Sequence, residues 1–91
     1  MAGSSAELTI GPRERAVLAV LLRRPGRVVD REQLRHEAGL DDLSLRRCDA
    51  LLVSIRRALG PNSIVTVRRR GWMLAEEATP LAADLESRVG A

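Results

Sequence analysis

The chain has 91 residues, 45% of them hydrophobic, with 15 basic residues against 12 acidic ones and a formal net charge of +3. That length holds one domain, and that hydrophobic content belongs to a globular fold rather than a disordered chain. One cysteine, Cys48, excludes an intrachain disulfide, no apolar run is long enough to span a membrane, and Met1 to Glu7 lacks the apolar stretch of a secretory signal, so the expected compartment is the cytoplasm.

Gly11-Pro12 opens the first expected helix, because the N–H that proline lacks would be unpaired there in any case. Val17, Leu18, Leu21 and Leu22 recur at i, i+1, i+4 and i+5 and make one apolar face. Arg23-Arg24 suit the dipole of a last turn, and Pro25-Gly26 stops the helix. Arg27-Val28-Val29 has room for a brief strand or bridge only. Asp30 then caps a second helix from about Arg31 to Ala38, with Gln33 completing a capping-box-like pair and Leu34 and Ala38 on one face. Gly39 suits its end, and Leu40 to Leu43 is a loop carrying Asp41-Asp42.

Ser44 caps a third helix that ends near Leu59, ahead of Gly60-Pro61. Cys48, Leu51, Leu52, Ile55 and Leu59 fall at i, i+3, i+4, i+7 and i+11, which is a continuous buried stripe. At about 100° per residue the opposite face gathers Arg46, Ala50, Val53 and Arg57, flanked by Arg47 and Ser54. Ser63 to Arg68 alternates with β-branched residues and reads as a strand. Gly71 to Ala75 reads as its partner, with the turn at Arg68-Arg69-Arg70. Helix, short strand, helix, helix, β-hairpin is the order of an α+β winged helix-turn-helix with three helices and a C-terminal hairpin wing. The chain thus divides into residues 1–10, an arm or single strand; residues 11–75, the winged-helix domain; and residues 76–91, an acidic tail. In that tail Leu81, Leu85 and Val89 at i, i+4 and i+8 suit a short helix, while the Pro, Gly and small residues around them suit a frayed end equally well.

Charge is distributed unevenly along these elements. Residues 1–42 balance seven Arg against seven acids, whereas Leu43 to Leu74 holds Arg46, Arg47, Arg56, Arg57, Arg68, Arg69 and Arg70 against Asp49 alone. The remainder is acidic, with Glu76, Glu77, Asp84 and Glu86 against Arg88. A basic segment inside a balanced chain is the footprint of a polyanionic partner. All 15 basic residues are Arg, the side chain that forks onto phosphate or guanine. On the third helix Arg46 and Arg57 can offer forked donors to guanine, and Ala50 and Val53 can offer methyl contacts to thymine. Three cations on one turn, Arg68 to Arg70, repel one another unless a phosphate or a narrow minor groove offsets the repulsion.

The other polar candidates have ordinary explanations. Cys48 lies on the apolar stripe, His36 has no ligand cluster at metal spacing, Trp72 suits a core plug closing the wing, and Ser44 is a cap without a His–acid pair behind it. With no Gly-rich phosphate loop and no paired carboxylates, the expectation is a binding module with no catalytic residue, cofactor or metal.

The stretch from Gly11 to Leu74 resembles the DNA-binding domain of OmpR/PhoB-type response regulators. The matching blocks are GPRERAVLAVLLRRPGRVVDREQL, CDALLVSIRRALG and SIVTVRRRGWML, in order and at family spacing. The resemblance implies a bacterial transcription regulator that binds double-stranded DNA, third helix in the major groove and wing in the adjacent minor groove. It marks Arg46 and Arg56 as recognition-helix contacts and Arg68 as the wing arginine. It also marks departures. Ser54 stands where relatives carry a base-reading Arg, Val53 where they carry a backbone-contacting basic residue, and Leu51 where they carry His. Arg69 replaces the usual wing Gly, and Ala38-Gly39 replaces Trp-Gly. The family's four-stranded N-terminal sheet is reduced or absent, with only Glu7 to Ile10 able to supply a strand. The candidate DNA-contacting set is Arg46, Arg47, Ala50, Val53, Ser54, Arg56, Arg57, Arg68, Arg69 and Arg70.

Three further readings stay open on sequence. The domain can dimerise on DNA or meet RNA polymerase or a fused or partner regulatory domain. It can be a winged-helix protein–protein interaction module instead. A similar module is also found fused behind uroporphyrinogen III synthase.

Overall fold

A computed structural model describes residues 10–87. The elements in chain order are α1 (Pro12–Leu22), β1 (Val28–Val29), α2 (Arg31–Glu37), α3 (Leu45–Leu59), β2 (Ile64–Val67), β3 (Gly71–Leu74), a 3₁₀ turn (Glu76–Ala78) and α4 (Thr79–Ser87). The expected α+β winged-helix arrangement is formed, with a fourth helix added. The expected strand over Glu7 to Ile10 lies outside the described residues apart from Ile10, which packs against the core.

The starts of α1, α2 and α3 are explained by their caps. Gly11 is extended, Pro12 takes the first helical position, and the Gly11 N–H donates to the Glu14 carboxylate at 2.7 Å. At α2 the Asp30 carboxylate accepts from the N–H groups of Glu32 and Gln33. The side chain of Gln33 does not complete a reciprocal box there; its amide donates to Glu37 at 2.7 Å. At α3 the Ser44 hydroxyl accepts from the Arg47 N–H at 3.2 Å.

Helix α1 lies at the centre and packs against α2, α3, α4 and β3. It therefore buries Val17, Leu18, Val20 and Leu21 rather than the single face Val17–Leu22. Val20, which a one-sided reading omits, is fully buried, and Leu22 is half-buried. The helix ends at Leu22, so Arg23 and Arg24 lie just past it, where they bind Glu37.

The three strands form an antiparallel sheet in the order β1-β3-β2. Its register, Val29 opposite Trp72, Thr66 opposite Trp72 and Ile64 opposite Leu74, turns Val29, Trp72, Leu74 and Ile64 into the core. The next row, Val28, Met73 and Val65, is turned outward. Gly71 has to be glycine: its φ is +147°, and a Cβ there would run into the Val29 carbonyl oxygen. At that point β3 passes under the chain leaving β1, and the wing is joined to the rest of the domain.

The segment after Ala75 is helical and docked. Its burying face is Ala82 with Leu85, backed by Ala78, not the Leu81–Leu85–Val89 stripe. Leu81 is 48% exposed, and Val89 lies outside the described residues. Helix α4 packs against α1. The loop before α3 also enters the core, through Leu40 and Leu43.

Candidate nucleic-acid interface

Leu52 and Ile55 are buried and Cys48 nearly so, which fixes the rotation of α3. Burial also raises the Cys48 thiol pKa, holding it as an uncharged packing residue. With that face inward, Arg46, Arg47, Ala50 and Arg57 stand exposed on the outer side. Leu51 and Leu59, expected fully inside, are half-buried at the margin of the stripe. Val53 is half-buried and packs against the core, so the structure moves it off the open face on which sequence periodicity placed it. Ser54 is half-buried as well.

Arg56 is placed differently from its neighbours. Its guanidinium lies over the Trp72 ring, 5.8 Å from the centroid, and its Nη1 donates to the Ile64 carbonyl at 3.4 Å. It is half-buried between α3 and the sheet, whereas Arg57 is exposed. Trp72 is 6% exposed and fills the core beneath the wing, as its position suggests. Its Nε1 donates to Asp49 at 3.2 Å.

The hairpin presents the remaining cations. The Arg70 N–H donates to the Val67 carbonyl at 2.9 Å, closing a turn through Arg68 and Arg69, and all three arginines are exposed. Arg69 sits at φ +64°, the left-handed region that glycine adopts freely and a side chain adopts at a cost of about 1–2 kcal/mol. The turn keeps its glycine-like backbone while carrying a charged side chain.

Arg46, Arg47, Arg57, Arg68, Arg69 and Arg70 have no ion-pair or side-chain hydrogen-bond partner among the described residues. Glu37 of α2 and Asp49 of α3 are both engaged. Glu37 takes Arg24 at 3.1 Å on both oxygens and Arg23 at 3.4 Å. The Arg24 and Gln33 hydrogen bonds hold the Glu37 carboxyl below the usual range. Asp49, the one acid of the basic segment, is occupied by Arg31, whose pKa it raises, and by Trp72. The unpartnered guanidiniums thus lie on one helix and one hairpin turn, and the one acid of that segment is already taken.

Sequence reasoning missed the Asp49 cluster and the Arg56–Trp72 stack. Their partners are 18 and 23 residues away from Asp49, beyond the reach of periodicity. The available hint was an isolated acid on an otherwise cationic helix. Among the described residues there is no group of His, Cys, Asp and Glu able to hold a metal ion, and no helix is long and apolar enough to cross a membrane.

The family model described as "Transcriptional regulatory protein, C terminal" matches residues 5–74. Comparison with curated proteins found no match. With the fold, the capped third helix and the hairpin wing in place, this chain belongs to that family, the OmpR/PhoB-type C-terminal DNA-binding domains of transcriptional regulators.

Proposed function

We propose that α3 enters the major groove of double-stranded DNA while the β2–β3 turn reaches the neighbouring minor groove. The observation that carries this reading is the set of six guanidiniums, on α3 and the wing turn, that have no partner among the described residues. Unpaired arginines on a helix and a hairpin tip are what neutralising successive phosphates requires.

Within this reading the roles divide. Arg46, Arg47 and Ala50 occupy the first two turns of α3, where a helix entering the groove meets base edges; Arg57, near its end, meets flanking phosphate. Arg68, Arg69 and Arg70 seek the negative potential of a narrow minor groove. Val53 and Ser54 contribute little, being half-buried, and Arg56 acts by bracing α3 against Trp72.

Methylation interference on a duplex recovered by selection from a random pool tests the geometry. Methyl groups on guanine N7 in the major groove and on adenine N3 in the minor groove should both block binding, at adjacent positions. The adenine signal should disappear for Arg68→Ala with Arg69→Ala. Binding indifferent to both modifications would refute the groove assignment.

A further inference from the structure

Asp49 is the only acid between Leu43 and Leu74, and it lies on the helix placed against DNA. A bare carboxylate there would repel phosphate. It is not bare: Oδ1 accepts from Arg31 Nε at 3.2 Å and from Trp72 Nε1 at 3.2 Å, and Oδ2 accepts from Arg31 Nη2. Arg31 is the first residue of α2, Asp49 lies in the second turn of α3, and Trp72 follows Gly71 at the base of the wing. One carboxylate therefore ties three elements together. The cleft between the starts of α2 and α3 and the wing, lined by Asp30, Arg31, Glu32, Asp49, Arg68 and Trp72 among others, is bridged at this point.

We infer that Asp49 is a positioning residue for DNA binding, holding the base of the wing against α3 so that helix and turn span two grooves at a fixed separation. This rests on the groove reading above. Two facts separate positioning from simple ion pairing. The Arg31–Asp49 pair is partly exposed, with side chains 45% and 31% accessible, and it joins α2 to α3 without reaching the wing. The bond from Trp72 instead joins the two parts that carry the unpartnered arginines, and the Arg56 guanidinium over the same ring braces that joint from the next turns of α3.

The inference predicts a sign opposite to that of electrostatics. Removing an acid from a cationic surface, and freeing Arg31 besides, strengthens phosphate binding if charge alone matters. If Asp49 fixes the wing, its loss weakens binding, because the duplex then has to order a joint that was already set.

The test is a double-mutant cycle on the full chain with the selected duplex, under conditions where circular dichroism shows every variant folded. Asp49→Ala should weaken binding by roughly five- to tenfold, the scale of a coupling between residues in one network. Replacing Arg68, Arg69 and Arg70 together by Ala should also weaken it, and adding Asp49→Ala to that variant should change nothing more. Asp49→Asn keeps an acceptor for the indole and should retain most of the affinity. Should Asp49→Ala not fold, Trp72→Phe takes its place: it keeps an aromatic plug, removes the donor, and should show the same weakening and the same non-additivity. Binding that is unchanged or tighter in Asp49→Ala or Trp72→Phe overturns the inference, as do effects that multiply with loss of the wing arginines. A triple wing variant that binds like the wild type overturns the groove reading, and the inference falls with it.

Discussion

Between Arg23 and Arg35 most guanidiniums hold elements together: Arg23 and Arg24 bind Glu37, Arg31 forks onto Asp49, and Arg35 donates to the Leu43 carbonyl at 2.9 Å, while Arg27 is exposed. Between Arg46 and Arg70 the same side chain does so only at Arg56, and the other six point to solvent without a partner among the described residues. Residue type does not separate the two regions, since every basic residue in the chain is Arg. What separates them is which arginines the acids engage: Glu37 of α2 takes Arg23 and Arg24, and Asp49, the one acid of α3 and the wing, is taken by Arg31. The overall charge of +3 conceals this. An interface for a polyanion is made as much by withholding carboxylates as by adding arginines.

The sharpest way to break the comparison is to break the joint between the regions. Gly71→Ala puts a methyl group into the Val29 carbonyl at an unfavourable φ, and should cost at least about 2 kcal/mol. Urea denaturation should show this loss, and DNA binding should decline with the folded fraction. Replacing Arg46, Arg47 and Arg57 together by Ala addresses one region alone. The unfolding midpoint should hardly move; on the selected duplex the slope of log K against log salt should fall by about 1, for the phosphate contact of Arg57, and selectivity should relax at the bases met by Arg46 and Arg47. Arg69→Gly sharpens the contrast by setting stability against binding. Relief of the left-handed backbone should stabilise the domain by up to about 1 kcal/mol, while affinity for duplexes with narrow A·T-rich flanks drops.

The smallest effect belongs to the paired region. Arg24→Ala should lower the unfolding midpoint slightly and leave DNA affinity and salt slope as they are. Its partner supplies a pH signature. Because the folded-state pKa of Glu37 lies below its unfolded value, the contribution is complete above the ordinary glutamate value of about 4.3. It is lost as pH falls through the lower folded value. In Glu37→Gln that portion of the acid destabilisation should be missing from a denaturation series run at falling pH.

Much of this architecture was legible because it is local. Ser44, the Cys48–Leu52–Ile55 spacing and Gly60-Pro61 mark α3 from end to end, and β-branched alternation before three arginines and a glycine marks the wing. Two features were not legible for physical reasons. Periodicity treats a helix as having one buried side, yet α3 is covered beyond its stripe, so Val53 packs inward. Likewise α1 is enclosed by four elements, and Val20 is buried outside the face that periodicity marks. An apolar residue outside the expected face is thus a signal that another element covers it. The fate of Arg56 depends on Trp72, 16 positions away in sequence order and adjacent only once β3 has paired with β1. Which arginines are free and which are engaged is a tertiary property that composition cannot supply.

The central claim is that six unpartnered arginines make a phosphate-binding surface, and salt dependence measures it most directly. Affinity for a mixed-sequence duplex should be followed by fluorescence anisotropy from low to moderate salt. The account predicts a linear fall of log K with log salt, its slope approaching about −5 if all six arginines engage, and dissociation constants of about 10⁻⁴–10⁻⁶ M at physiological salt. Absence of binding at low salt, or an affinity indifferent to salt, would contradict it.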